Sequence, residues 1–251
     1  MRSSLVESAL YSPVTRKSER QKASYEQMSE RTPYLLMKRA MDVVASLLVI
    51  LLIYPLFFPL LALVIKLTSR GPVFFKQKRA GLGNRTFWCY KFRTMYVNDA
   101  ADSRRASRND PRVTRVGYFL RNTCLDELPQ FLNVLRGDMS IVGPRPHMLK
   151  DIREFSSVID NYTFRSLVRP GITGLSQVRG YRGPATTFHS IFRRYQWDAY
   201  YVRNVSLRLD CKIMAKTVVL MFSSFFNKDK PVPVDSPVFR QQAQSVAKKI
   251  A

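Results

Sequence analysis

The run from Val43 to Ile65 limits what this chain can fold into more than any other stretch, because it holds 23 residues without a charge. A straight helix of that length measures about 35 Å, enough to cross a hydrocarbon layer of about 30 Å. Pro55 and Pro59 lie near its middle and leave the carbonyls of Leu51 and Pro55 without their helical partners. We therefore predict a sharp bend at mid-membrane, with each half too short to span the bilayer alone.

The charges beside this run favour a re-entrant helical hairpin, in which both ends lie on the same side of the membrane. Lys38 and Arg39 precede the run, and Lys66 and Arg70 follow it. Cations next to membrane segments prefer the cytoplasmic side, so both ends are expected there. The alternative is a kinked helix that spans the bilayer, since large domains cross membranes regardless of their charge.

The excess of cations predicts anionic partners. The chain has 41 Lys and Arg against 18 Asp and Glu, a net charge of +23. Phosphorylated substrates, anionic lipid head groups and nucleic acid all suit this charge. The three cysteines are odd in number and far apart, which argues against a disulfide framework and for a reducing compartment. Neither His147 nor His189 has zinc-ligand spacing from a cysteine.

We expect the chemistry at two adjacent carboxylates, Asp126 and Glu127. They precede an apolar helical run that ends at Arg136 and Gly137, a cation followed by a glycine C-cap. Pro129 is costly deep inside a helix but not in its first turn, so we expect Asp126 as the N-cap. A carboxylate there is held in a fixed direction, which suits a nucleophile or a metal ligand. The simpler interpretation is ordinary helix capping.

Downstream, Met139 to Val142 is a short strand-like run, and the residues from Gly143 to Pro146 form a stiff corner. Pro144 and Pro146 fix the backbone on both sides of Arg145. The guanidinium of Arg145 therefore loses little entropy when it binds an anion, and we expect it to clamp a phosphate. Arg121, five residues before Asp126, is placed to meet the same phosphate.

Two alternating aromatic-rich runs, Val73 to Lys78 and Thr86 to Phe92, flank a Gly-Leu-Gly-Asn turn and predict a β-hairpin. Its basic residues either form a positive ledge for phosphates or a solvated face. These residues are Lys76, Lys78, Arg79, Lys91 and Arg93. Further helices are expected from Thr114, over Met148 to Tyr162 and over Ser206 to Phe225, the last either at the membrane interface or packed on the core.

The motifs DELPQ and GDMSIVGPRP together resemble the signature of the bacterial sugar transferases, the monotopic phosphoglycosyl transferases. The blocks KRAMD, GPVFFKQKRAG, YKFRTM and RPGITGLSQVRG resemble the same family, so the resemblance covers about residues 35 to 225. It implies transfer of a sugar 1-phosphate from a UDP-sugar to polyprenyl (undecaprenyl) phosphate, with release of UMP. It also implies a bent re-entrant helix and the first membrane step of exopolysaccharide or glycoconjugate synthesis.

The resemblance implies roles for individual residues. Asp126 would be the nucleophile of a ping-pong reaction, and Glu127 would act with Mg²⁺ on the pyrophosphate; which carboxylate ligates the metal stays open. Arg121 and Arg145 would hold the transferred phosphate. Arg79, Lys91 and Arg93 are further substrate-side candidates. The implied location is the cytoplasmic face of the bacterial inner membrane, in contact with its lipids and without nucleic acid; the oligomeric state is not specified.

We expect an α+β, mostly helical protein with a re-entrant membrane hairpin, a small β-hairpin and interfacial helices. The predicted divisions are a disordered tail (1–34), the membrane helix (35–68), a catalytic domain (69–225) and a second tail (226–251). His147 and the loop from Gly180 to Gly183 resemble transferases of hexose 1-phosphate, which predicts a hexose donor. The alternative for His147 is to brace the proline corner. The rival function is a membrane-anchored basic protein that binds nucleic acid or anionic lipid without catalysis.

Overall fold

A computed structural model describes residues 32–99, 104–107, 110–182 and 187–226. Two helices come first, α1 (Thr32–Leu52) and α2 (Tyr54–Thr68), and their axes are bent by 63° at the break. Within the described ranges no single helix is both long and apolar enough to cross a membrane, whereas this bent pair passes that test of length and composition. The predicted bend is therefore present, at Ile53.

The two prolines contribute unequally to the bend. Pro55 lies in the first turn of α2, directly after the break, where its missing N–H and fixed φ suit a helix start. Pro59 lies inside α2, which continues through it to Thr68. The bend predicted from the two prolines thus lies beside Pro55, whereas at Pro59 the helix continues and absorbs the loss of one hydrogen bond.

Both helices pack one face on the rest of the protein. On α1 the buried positions Lys38, Asp42 and Ser46 recur every four residues, and on α2 the buried positions are Leu61 and Ile65. The remaining surface of the pair is apolar and exposed. It includes Val44, Leu47, Leu48, Leu51, Leu52, Leu56, Phe57, Leu60, Leu63 and Leu67.

Polar contacts attach α1 to distant parts of the chain. Lys38 Nζ lies 2.8 Å from Asp210 Oδ2, and the backbone N–H of Ile141 donates to Asp42 Oδ1 at 3.0 Å. Arg39 donates to the carbonyls of Val134 and Leu135 at 2.6 and 2.9 Å. The two cations that precede the apolar run therefore bind the protein itself.

The predicted β-hairpin is confirmed. β1 (Phe74–Ala80) pairs antiparallel with β2 (Thr86–Phe92), in a register that runs from Phe74 opposite Phe92 to Ala80 opposite Thr86. After the hairpin come α3 (Arg115–Asn122), which follows Thr114 as expected and is capped by the Thr114 side chain, and α4 (Gln130–Arg136), which ends at Gly137 in the left-handed conformation.

The described part of the second half of the chain contains a two-stranded parallel sheet and four helices. β3 (Ser140–Val142) pairs with β4 (Gly171–Thr173), so the block RPGITGLSQVRG contributes a strand. The helices are α5 (Leu149–Val158), α6 (Leu175–Val178), α7 (Phe188–Arg203) and α8 (Leu207–Phe226). The helix predicted to reach Tyr162 stops at Val158, and a 3₁₀ segment, Tyr162–Leu167, follows it.

The main core lies between β3, α6, α7 and α8, and it contains Val142, Val178, Trp197, Tyr201 and Ile213. Because Asp210 and Ile213 are buried, α8 packs on the core along that face, while Val218, Val219 and Phe222 stay exposed. The fold is α+β and mostly helical, as predicted. The two predicted tails lie outside the described residues, except that Thr32 to Tyr34 begin α1 and the second tail's first residue, Phe226, ends α8.

Candidate active site

Asp126 and Glu127 lie in a 3₁₀ turn, Leu125–Glu127, that starts after Cys124 in the left-handed conformation (φ 59°). Asp126 is not the N-cap of α4, because α4 starts at Gln130 with Pro129 as its N-cap. Pro129 has no N–H to extend the turn, so the turn closes with 3₁₀ bonds from Glu127 and Leu128 and a new helix begins. The predicted capping role is wrong, and both carboxylates are instead buried in a separate turn.

Glu127 is bound by two cations. Its Oε1 lies 2.8 Å from Lys91 Nζ and 2.6 Å from Arg145 Nη2, and its Oε2 lies 3.4 Å from Arg145 Nη1. Burial opposes the charged form, but the attraction of Arg145 and Lys91 outweighs it and holds the pKa of Glu127 well below its usual range. Glu127 is therefore a permanent anion whose charge is already compensated.

Asp126 is in the opposite situation. Burial, together with the neighbouring charge of Glu127, raises the pKa of Asp126 to about 6, although Lys91, Arg145 and Arg121 act against this rise. Asp126 forms no hydrogen bond or ion pair with any residue that the structure describes. At neutral pH it is a buried, ionised carboxylate with free oxygen atoms, which is the state that a nucleophile requires.

Arg121 comes to the dyad from α3. Its Nε donates to Thr94 Oγ1 at 2.9 Å, and its charge acts on Asp126. This position depends on a close approach, because Gly117 of α3 lies directly against the Thr94 carbonyl and a Cβ there would be 1.9 Å from its oxygen. Thr94 follows β2, so α3 and the hairpin together place Arg121.

The corner from Gly143 to Pro146 is fixed through three backbone carbonyls. Pro144 O accepts from the N–H of Gly171 at 3.0 Å, Arg145 O from Arg165 Nη2 at 2.7 Å, and Pro146 O from Arg79 Nη1 at 3.2 Å. With the backbone held in this way, the Arg145 side chain is directed to Glu127. Arg165 is itself held by a buried ion pair with Asp198, at 2.7 Å.

The remaining predicted residues lie around the dyad at different places. Arg79 supports the corner and also donates to Gln77 Oε1. Arg93 does not join the dyad; it donates to the carbonyls of Ser69 and Arg70 after α2, at 2.7 and 2.6 Å. The structure thus brings Lys91, Arg121 and Arg145 to the two carboxylates. Arg79 and Arg93 instead donate hydrogen bonds to backbone carbonyls nearby.

His147 is buried behind the corner. Its Nδ1 lies 2.9 Å from the hydroxyl of Tyr162, and its ring packs on Phe155 and Tyr162. Burial, assisted by the charges of Arg165 and Arg194, lowers the pKa of His147 well below its usual range. The contacts fit the alternative that His147 braces the corner. The loop proposed with it is described only through Arg182.

Tyr54 is a residue that the sequence interpretation missed. It opens α2 at the bend, and its hydroxyl donates to the carbonyl of Leu128 at 2.6 Å, directly after the dyad. Its ring stacks on Phe58, with 3.9 Å between the centroids. A tyrosine hydroxyl inside an apolar run needs a partner, and this requirement was the signal available in the sequence.

The residues present suit Mg²⁺ as an ion shared with a substrate. No group of three or more His, Cys, Asp or Glu that could hold a metal occurs in the described part of the chain. Mg²⁺ commonly takes one or two carboxylates and completes its shell with water and substrate phosphates. The free oxygens of Asp126, beside Glu127, match that donor set.

Comparison with known proteins identifies the family of this chain. The family model for bacterial sugar transferases matches residues 33–224. A UDP-glucose:undecaprenyl-phosphate glucose-1-phosphate transferase of Escherichia coli (strain K12) is 47% identical over 195 residues, 77% of this chain and 41% of that protein. A protein of the same name from Caulobacter vibrioides is 50% identical over 184 residues, 73% of this chain and 68% of that protein.

A third relative carries a different sugar in its name. It is a UDP-N-acetylgalactosamine-undecaprenyl-phosphate N-acetylgalactosaminephosphotransferase of Aeromonas hydrophila, 44% identical over 197 residues, 76% of this chain and 45% of that protein. The chain spans about two fifths of the length of the first curated relatives that it matches. Since the family model covers most of the chain, this protein belongs to the bacterial sugar transferase family.

Proposed function

We propose that this protein transfers a sugar 1-phosphate from a UDP-sugar to polyprenyl (undecaprenyl) phosphate and releases UMP. The observation that carries the proposal is the difference between the two buried carboxylates. Glu127 is bound by Lys91 and Arg145, whereas Asp126 has free oxygens and a pKa of about 6. A site with one compensated and one reactive carboxylate suits covalent catalysis on a phosphate ester.

The proposed reaction has two steps. In the first, a carboxylate oxygen of Asp126 attacks the β-phosphorus of the donor, the bond from that phosphorus to the bridging oxygen breaks, and UMP leaves with the electron pair. The product is an acyl phosphate that carries the sugar. In the second, a phosphate oxygen of the polyprenyl phosphate attacks the same phosphorus, and the carboxylate of Asp126 is released.

The cations around the dyad would stabilise the charge that develops on the transferred phosphate. Arg145 has a fixed backbone and Arg121 is fixed through Thr94, so neither needs to reorganise during the reaction. Lys91 keeps Glu127 ionised beside them. Mg²⁺, when bound through Asp126 or Glu127, would neutralise part of the pyrophosphate charge.

We further propose that α1 and α2 form a re-entrant hairpin on the cytoplasmic face of the bacterial inner membrane. Lys38, Asp42 and Ser46 of α1 and Leu61 and Ile65 of α2 all pack on the same catalytic body. If the pair crossed the bilayer instead, one of the two helices would have to leave the catalytic body. The exposed apolar surface of the pair would then contact the lipid chains.

The direct test is release of UMP in neutral detergent by the purified chain, with Mg²⁺, undecaprenyl phosphate and a panel of UDP-sugars. UDP-glucose should be tested first, because the Escherichia coli relative is named for it. UDP-N-acetylgalactosamine should be compared with it, because the Aeromonas relative is named for that sugar. We expect release that requires the donor and increases with the acceptor. A chain that releases no UMP from any UDP-sugar would contradict the proposed function. Better use of N-acetylhexosamines than of hexoses would contradict only the hexose donor.

A further inference from the structure

An open groove of about 540 Å³ lies where α2 ends, beside the segment that follows β2. Its lining includes Lys66 and Arg70 from the end of α2 and Tyr96 and Val97 from the segment after β2. All four side chains are exposed. The groove thus lies at the end of the apolar helix pair, next to the catalytic body.

Neither cation of the groove forms an ion pair with another residue in the described ranges. Lys66 lies in the last turn of α2. The backbone at Arg70 is held by the buried Arg93, which donates to the carbonyls of Ser69 and Arg70 and to the hydroxyl of Ser69. Two exposed cations without an ionic partner among the described residues are therefore presented at one place.

The surroundings of these charges are apolar on one side. Leu63 and Leu67, on the exposed side of α2, are 57% and 77% accessible. Tyr96 supplies an aromatic ring with a polar tip, a residue type enriched where hydrocarbon meets water. A ligand that fits this arrangement has a strongly anionic head and a long apolar chain.

The groove is also connected to the dyad. Arg93, which holds its floor, is followed by Thr94, whose hydroxyl accepts from Arg121, and the charge of Arg121 acts on Asp126. The same short segment therefore borders the groove on one side and positions a dyad cation on the other.

We infer that the groove binds the phosphate head of the polyprenyl phosphate acceptor, with its first prenyl units along Leu63 and Leu67. This inference rests on the proposed function and names the place where that lipid is recognised. A phosphate monoester carries a charge of about −1.5 to −2 at pH 7, as a phosphoserine does. A phosphodiester of an ordinary membrane phospholipid carries only one charge, so the two cations fit the monoester better.

Binding of labelled undecaprenyl phosphate to the purified full chain in neutral detergent tests this inference, since binding needs no turnover. The test variant is Lys66→Gln/Arg70→Gln. The matched control is Arg208→Gln/Lys212→Gln, which removes two exposed cations one turn apart from α8. We expect the test variant to bind about fivefold more weakly or worse, and the control within about twofold of the wild type.

Three results would overturn the inference. They are unchanged affinity of the test variant, an equal loss in the control, and displacement of the ligand by phosphatidylglycerol at equal concentration, which would make the groove a site for ordinary phospholipids. Failure of the proposed function looks different. In that case the wild type releases no UMP, while the affinities of the three proteins still decide whether the groove recognises the lipid phosphate.

Discussion

Asp126 and Glu127 are adjacent in the chain, yet their surroundings shift the two carboxyl groups in opposite directions. Burial raises the pKa of Asp126 to about 6, so this carboxyl binds a proton more tightly in the folded protein than in the unfolded chain. Its contribution to the free energy of unfolding is therefore lost as the pH rises from about 4 to about 6. Glu127 has the opposite pH dependence, because nearby cations lower its pKa. The stabilisation by ionised Glu127 is present at neutral pH and is lost as the pH falls.

Substitution of the two residues should therefore change stability with opposite sign. At pH 7, Asp126→Asn is expected to raise the free energy of unfolding by on the order of 2 kcal/mol. Glu127→Gln should lower it by about 3 kcal/mol, because Lys91 and Arg145 lose their buried partner. Denaturant unfolding in detergent measures both. A loss of stability in Asp126→Asn would show that its carboxylate is held by favourable contacts.

The same pKa predicts the pH dependence of the donor step. Only the ionised form of Asp126 attacks, so the second-order rate constant of the UMP burst without acceptor should fall about tenfold per pH unit below about pH 6. The acceptor is omitted because a phosphate monoester titrates near pH 6 itself. A rate that stays constant down to pH 4.5 would exclude a nucleophile with this pKa.

Tyr54 is expected to position the dyad from the bend between α1 and α2. Tyr54→Phe keeps the stacking on Phe58 but removes the hydrogen bond to Leu128, and we expect the donor step to slow about tenfold. Tyr118→Phe is the matched control, because that tyrosine is exposed on α3. If Tyr54→Phe changes only the melting temperature and leaves the rate of the donor step unchanged, the hydroxyl has a structural role alone.

Among the secondary-structure elements, those whose boundaries depend on local chemistry were predictable. The hairpin strands lie where the alternation of residues predicts them, α3 begins after Thr114 as expected, and Gly137 ends α4 as the predicted glycine cap. The turn of the dyad was not predictable in the same way. Pro129 fits either the first turn of a helix or its N-cap, and the choice depends on how Leu125 and Leu128 pack against α2.

The re-entrant arrangement of α1 and α2 predicts which side of the membrane each end occupies. Thr32→Cys and Pro72→Cys, in a variant without the native cysteines, should both react with an impermeant maleimide in inverted inner-membrane vesicles. Both should be protected in intact spheroplasts. Reaction of one position from each side would show that the helix pair spans the bilayer.

Across the whole molecule, the contacts that join the membrane helices to the catalytic body connect residues far apart in the chain. Lys38 and Asp210 are 172 residues apart, and Asp42 and Ile141 are 99 apart. Sequence patterns report neighbours along a helix or a strand, so these pairs could not be derived from them. From the sequence, the cations beside the apolar run indicated only the topology in the membrane. In the structure, Lys38 and Arg39 also bind α1 to the catalytic body.

The identity of the site residues was easier to predict than their arrangement. Lys91, Arg121 and Arg145 could be named from motifs, but their distribution between the two carboxylates depends on the packing of β2, α3 and the proline corner. Arg165 and Asp198 support that corner from the 3₁₀ segment and α7, and neither lies in a motif next to it. The structure was needed to separate residues that face the dyad from those that hold its backbone.

The central claim is that Asp126 forms a covalent bond with the transferred phosphate before the acceptor takes part. Rapid-quench measurement of UMP from a UDP-sugar, with Mg²⁺ and without polyprenyl phosphate, tests it most directly. We predict a burst that approaches one UMP per enzyme molecule, a phosphosugar adduct on the peptide that contains Asp126, and neither of these in Asp126→Asn. UMP that forms only after the acceptor is added, or an undiminished burst in Asp126→Asn, would show that Asp126 forms no such bond.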